Sequence, residues 1–302
     1  MYKRQPPQKA AFFGCFLSGY LVHLYVFTNI IPNSDGLSRI FDPQQMTVSG
    51  RWFLHFASYF NGFTQMPAVI GLFSVLFLAL AAALAVSLLG IRSRALSALS
   101  GALMAAFPAV GYTFLYLFTA SAYCFAIFLA VLSVSLARRG RWHWLAGCLL
   151  LACSMGTYQA YVTVAIGLSL LVIFRETLDP SASFSATLRL GVRLMLFLAA
   201  GAVLYYGILL VFLQVKDLEL LSYLGMDAAS SGYPFSRLPG LLLDTYKQVA
   251  AFFFLPGSAN TFTSGWMAVL DLAALALGGG CFLLCMGQEG LWRARWRPLG
   301  GL

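Results

Sequence analysis

"AAFFGCFLSGYLVHLYVFTNII", Ala10 to Ile31, contains no Asp, Glu, Lys or Arg. As a helix it is long enough to cross a hydrocarbon core, which takes about 20 apolar residues. The chain then changes character abruptly. "NSDGLSRIFDPQQMTVSGRW", Asn33 to Trp52, mixes acids, arginines, glutamines and turn residues, and a second long apolar run follows it. Repetition of this pattern along the chain decides the fold.

The composition agrees. Of 302 residues, 60% are hydrophobic and only 10% charged, and the mean hydropathy of +0.82 lies far above that of soluble domains. The fold class expected is all-α: a polytopic transmembrane helical bundle, one membrane domain over residues 1–302. Period-two alternation, the mark of a membrane β-barrel, is absent. The net charge of +9 comes from small basic clusters between apolar runs, with no continuous stripe and no nucleic-acid-binding motif, so nucleic acid is excluded as a partner. All six cysteines lie inside apolar runs and read as small hydrophobes. Cys281 and Cys285 share a helix face without a nearby His or acid, which points to packing and to no metal site. No motif calls for a cofactor.

The first run follows Lys3, Arg4 and Lys9, as a signal peptide's apolar segment would. It is too long for that segment and lacks a small-residue cleavage site, so an uncleaved first span is expected. About eight spans follow from hydropathy, at 10–31, 66–89, 95–111, 117–136, 143–157, 159–174, 190–214 and 265–286. Arginine and lysine clusters occupy alternate connections: the N-terminus, Arg92 and Arg94, Arg138 to Arg141, Arg175 to Arg193, and Arg293 to Arg297. The positive-inside rule then expects both termini in the cytoplasm, with 32–65, the turn near Gly111 to Tyr116, "GTYQAY" (Gly156 to Tyr161) and 215–264 outside.

This arrangement localises chemistry. Of the ten acidic residues, six lie in the two long outer loops: Asp35, Asp42, Asp217, Glu219, Asp227 and Asp244. Loops 32–65 and 215–264 therefore form the candidate site. Asp35, between Ser34 and Gly36, reads either as a turn or helix-cap residue or as a catalytic carboxylate. Asp42 precedes Pro43, which restricts it to extended backbone, so a turn role competes there too.

"RWFLHFASYFNG", from Arg51, fits an amphipathic helix with Phe53, Phe56, Ala57 and Phe60 on one stripe and Arg51, His55 and Ser58 on the other. Such a helix lies in the membrane interface, either as a lipid-headgroup anchor or with Arg51 facing a polar cavity. Carboxylates near a guanidinium suit a reaction in which a base takes a hydroxyl proton while a cation stabilises a departing phosphate. "GTYQAY" adds Tyr158, Gln159 and Tyr161 on the same side, suited to sugar recognition and equally at home in an interfacial aromatic belt. The last outer loop is amphipathic in "SRLPGLLLDTYKQVAAFFF", where Asp244 and Lys247 form an i,i+3 pair suited to a solvated face.

"SDGLSRIFD" in the first outer loop, "GRW" opening an amphipathic segment and "GTYQAY" several spans later resemble the Gtr-type integral membrane glucosyltransferases. That family is related to the serotype-converting O-antigen glucosyltransferases and to the GT-C superfamily. The resemblance covers roughly residues 10 to 286. It implies a many-helix membrane fold, an outer-face site, a polyprenyl-phosphate sugar donor and a glycan acceptor, all in contact with membrane lipid. It makes Asp35 the candidate base, with Asp42 as a second carboxylate because Gly36 stands where relatives often carry an acid. Arg51 becomes a candidate donor-phosphate contact, with Arg39, His55, Tyr158 and Gln159 as further substrate-binding candidates. A transporter or lipid flippase is the competing reading, carried by Asp271 inside the last span. An assembly subunit without chemistry is a third.

Overall fold

The computed structural model describes residues 6–31, 47–61, 66–179, 182–221, 235–255 and 265–288. Among them 86% are helical and none is in a strand. The helices are α1 (Pro7–Thr28), α2 (Leu54–Ala57), α3 (Pro67–Leu89), α4 (Arg94–Ala106), α5 (Pro108–Leu115), α6 (Leu117–Ala137), α7 (Arg141–Thr157), α8 (Val162–Leu178), α9 (Phe184–Val215), α10 (Leu238–Phe254) and α11 (Gly265–Gln288). The protein is an all-α, multi-pass helical bundle, and among the described residues six helices are long and apolar enough to span a membrane.

A helix covers each of the eight expected spans, but two depart from simple rods. The third is a bent pair, α4 and α5, with 41° between the axes. Pro108 is the cause. It has no N–H to continue the helix and drives Phe107 to extended backbone, φ −63° and ψ 135°. The expected turn at 111–116 is consequently helical up to Leu115, and the chain turns at Tyr116. The fifth, α7, has 17 residues, at the short limit for a span.

Two units divide the chain, Met1–Leu221 and Ser222–Leu302. In the first, α1 packs on α3 and α4, α6 packs on α3 and α7, and α9 packs on α7. Apolar burial gains little between helices already dissolved in lipid, so close backbone approach must hold them together. Small residues supply it. Gly14 of α1 meets the Ala98 backbone and Gly101 of α4 meets Ala11, so closely that a Cβ at either glycine would overlap the opposing chain. Along α6, Ala120, Ala122, Ala126, Ala130 and Ala137 are fully buried. The larger core side chains form two groups, one around Leu151, Leu194 and Phe197 and one around Phe27, Ile70 and Phe114. His23, buried in α1, is satisfied by the Ala105 carbonyl at 2.9 Å and packs its ring edge-on to Phe114.

The arginines of the alternate connections gather at one end of this unit, and two of them close helix C-termini. Arg175 donates to Leu88 O at 2.9 Å, and Arg193 donates to Ala137 O at 2.8 Å and to Arg139 O. Cations there satisfy the last carbonyls of α3 and α6 and complement their dipoles. In the second unit α10 packs against α11, and Asp244 and Lys247 form the expected pair at 3.3 Å. Both are about two-thirds exposed, so the pair stabilises little.

Candidate active site

The end of the bundle opposite the arginine clusters is built around a docked loop, residues 47–53. Gly50 turns it with φ 78°, a left-handed conformation that only glycine adopts without strain. Trp52 then drops into the bundle and stacks on Phe212 of α9, ring centres 5.7 Å apart. Its indole lies against Gly156 at the end of α7, where any Cβ would come within 2.6 Å of the ring. Gly156 also accepts from Phe53 N at 2.7 Å. One missing side chain thus admits both an aromatic anchor and a backbone hydrogen bond.

A second clamp comes from the turn after α7. Tyr158 is extended (φ −159°, ψ 120°) and Gln159–Tyr161 make one 3₁₀ turn, the tight reversal expected of "GTYQAY". Gln159 donates both N–H bonds of its amide, to Ser49 O at 2.8 Å and to Tyr205 Oη at 3.0 Å. Tyr205, in α9, in turn donates to Gly50 O at 3.0 Å. The far edge of the loop is tied to the segment that follows α9: Leu221 N donates to Val48 O at 3.0 Å and Lys216 Nζ to Thr47 Oγ1 at 3.3 Å.

Between these clamps sits Arg51, half-buried. Its guanidinium lies 4.8 Å over the Tyr158 ring, and Nη1 reaches Tyr123 Oη at 3.5 Å. Tyr123, on α6, stacks on Tyr158 at 5.2 Å, and Tyr161 stands edge-on to both. A cation against an aromatic face gains about 0.5–2 kcal/mol and keeps its in-plane N–H groups directed away from the ring. Lys216 adds a second positive charge at this end, 5.6 Å over Phe212. The arrangement is suited to holding an anion.

His55, exposed, lies beside Tyr59 with Nε2 3.4 Å from the phenol oxygen. The amphipathic helix expected from Arg51 is shorter than its sequence pattern. Only Leu54–Ala57 are α-helical, followed by a 3₁₀ turn over Ser58–Asn61. Its inner face is Leu54, Ala57 and Ser58, while Phe56 is 47% exposed. Docking of Trp52 and Phe53 on Gly156 uses the residues that would have formed the first helical turn, which rotates the face presented inward and leaves Arg51 ahead of the helix. Asp35, Arg39 and Asp42 lie outside the described residues. Tyr123 and Tyr205, which complete the cage and the clamp, escaped the sequence reading. Their signal was a tyrosine inside a long apolar run, Tyr123 alone in 117–136 and Tyr205 beside Tyr206 in 190–214.

Asp271, on α11, lines a cavity of about 400 Å³ with Ala274, Leu275, Gly278 and Gly279.

Fold and site together define a multi-pass helical membrane protein with a tyrosine-caged arginine at one end of its bundle. A family model described as Glucosyl transferase GtrII matches residues 24–286, nearly the whole chain, and the protein belongs to that family. It is a glycosyltransferase. No curated protein and no solved structure matches the chain.

Proposed function

We propose that the protein moves a hexose, glucose, from a polyprenyl-phosphate carrier to a hydroxyl of a cell-envelope glycan, at the outer face of the cytoplasmic membrane. The observation that carries this reading is the seating of Arg51 over Tyr158 at the end of the bundle away from the arginine clusters. By the positive-inside rule those clusters belong in the cytoplasm together with both termini, which leaves Arg51 outside. A polyprenyl-linked donor keeps its chain in lipid and its phosphate at the interface, within reach of such a cation.

In this mechanism Asp35 accepts the proton of the acceptor hydroxyl as its oxygen bonds to the anomeric carbon. The bond from that carbon to the carrier phosphate breaks, and polyprenyl phosphate leaves with the electron pair. Arg51 stabilises the charge growing on the phosphate, as a guanidinium does best with two oxygens of one anion. Arg39 supplies a second cation and Asp42 the alternative base. Tyr158 presents a ring to the sugar, and His55 stands at the rim. Gln159 and Tyr205 act by holding the loop that carries Arg51.

The donor is tested with purified protein, an envelope glycan acceptor, and either polyprenyl-phosphate glucose or a nucleotide glucose. Transfer is expected from the lipid-linked sugar alone. Transfer from the nucleotide sugar alone would remove both the outer-face site and the role given to Arg51.

A further inference from the structure

A second cationic feature lies at the opposite end of the first unit, where the glycosyl transfer reading has no use for it. Between α7 and α9 is a cavity of about 620 Å³, lined by Arg141, Arg189 and Arg193 together with apolar side chains. Among the described residues, none that line it is an acid. Its size falls in the range of small-ligand clefts, roughly 300–1,000 Å³, enough for a headgroup and the beginning of a chain.

The two parts of the lining are arranged differently. Leu188, Val192 and Leu196 recur every fourth residue along one stripe of α9, all exposed, and form an apolar floor with Trp144 of α7. That stripe runs about 12 Å along the helix axis, at 1.5 Å per residue. Arg141 opens the first turn of α7, whose N-cap is Gly140, so helix N–H groups add to the positive field at this mouth. Arg193 is held in place by Ala137 O and Arg139 O. Arg189 donates through Nε to Ser185 O at 3.2 Å, a contact that does not use the paired terminal nitrogens that grip a phosphate.

A charged mouth at the helix ends that continues into an exposed apolar groove matches one kind of molecule, a lipid with a phosphate. Basic pockets between membrane helices bind anionic headgroups in this way. We infer that the α7/α9 cavity binds one anionic bilayer phospholipid, its phosphate on Arg141, Arg189 and Arg193 and an acyl chain along Leu188, Val192 and Leu196. This site is separate from Arg51, which lies at the other end of α7.

Native mass spectrometry of the detergent-purified full chain, titrated with phosphatidylglycerol or phosphatidylcholine, tests the inference. One phosphatidylglycerol should bind well below the concentration at which phosphatidylcholine does. Arg141→Gln with Arg189→Gln should weaken it roughly 25-fold, at about fivefold for each arginine near a phosphate surface. Arg193 is left intact because it closes α6. Val192→Trp keeps every charge but fills the floor, and should weaken the same lipid. Equal binding of the two lipids, or unchanged binding in the charge variant, overturns the proposal. So does displacement of phosphatidylglycerol by millimolar inorganic phosphate, which would make this an ion site, or by equimolar polyprenyl phosphate, which would make it a carrier site.

Discussion

Arg51 is where charge, geometry and proposed chemistry meet, and its substitutions separate the roles a cation can play. Arg51→Lys keeps the charge but loses the planar fork and the stacking on Tyr158. Turnover should drop clearly in the lysine variant and further in Arg51→Ala, with protein abundance little changed in either. A headgroup anchor predicts the reverse, free replacement by lysine and loss of insertion in alanine. Asp35→Asn keeps shape and removes the basic lone pairs, so it should lower the rate by about 10²–10⁴, the usual range for a lost general base. If Asp35 only caps a helix, the same variant should cost about 1 kcal/mol and leave turnover intact. Tyr205→Phe removes one hydroxyl that donates to Gly50 O and accepts from Gln159. It should cost roughly 0.5–1.5 kcal/mol in thermal denaturation, with a larger effect if Gly50 O is left unpaired, and should reduce kcat by loosening Arg51.

At the scale of elements, glycines decide how closely chains approach. Gly156→Ala sets a methyl group against the Trp52 indole. Overpacking of this kind costs typically 1–3 kcal/mol, and the strain falls on the loop that carries Arg51, so activity should fall before the fold does. Gly101→Val acts elsewhere, forcing α4 away from the Ala11 backbone of α1. Its expected signature is a lowered melting temperature in detergent with near-normal specific activity in the surviving protein. Measuring both variants by thermal denaturation and by transfer rate checks the contrast. Identical profiles would mean that the docked loop and the α1/α4 contact do not act independently.

For the whole molecule orientation decides which side of the membrane the site faces. The arginines that close α3 and α6 lie at one end and Arg51 at the other, so the positive-inside rule makes a single statement about both. A lone cysteine at Ser38, in a variant without the native cysteines, should react with a membrane-impermeant maleimide in intact cells. Reaction only after the inner face is opened would reverse the orientation and move the proposed donor site with it.

Sequence alone determined the class of fold, because a helix that must satisfy its backbone inside lipid leaves a long apolar run as its record. The span expected at 95–111 ran straight through Pro108, and the bend that proline makes came only with the structure. The composition of the site was legible in part: "GRW" and "GTYQAY" each stood out as polar or aromatic islands beside apolar runs. What those islands do to one another was not. Hydropathy patterns describe how residues meet solvent, whereas the pairing of Trp52 with Gly156, of Gln159 with Ser49, and of Arg51 with Tyr158 and Tyr123 joins segments tens of residues apart. Such contacts depend on which helices lie side by side and in what register, and small buried residues set that by allowing close approach. For the same reason the helix is shorter than the stripe beginning at Arg51. A periodic pattern records what a segment can form in isolation, and here the tertiary anchor at Gly156 took its first turn for another purpose.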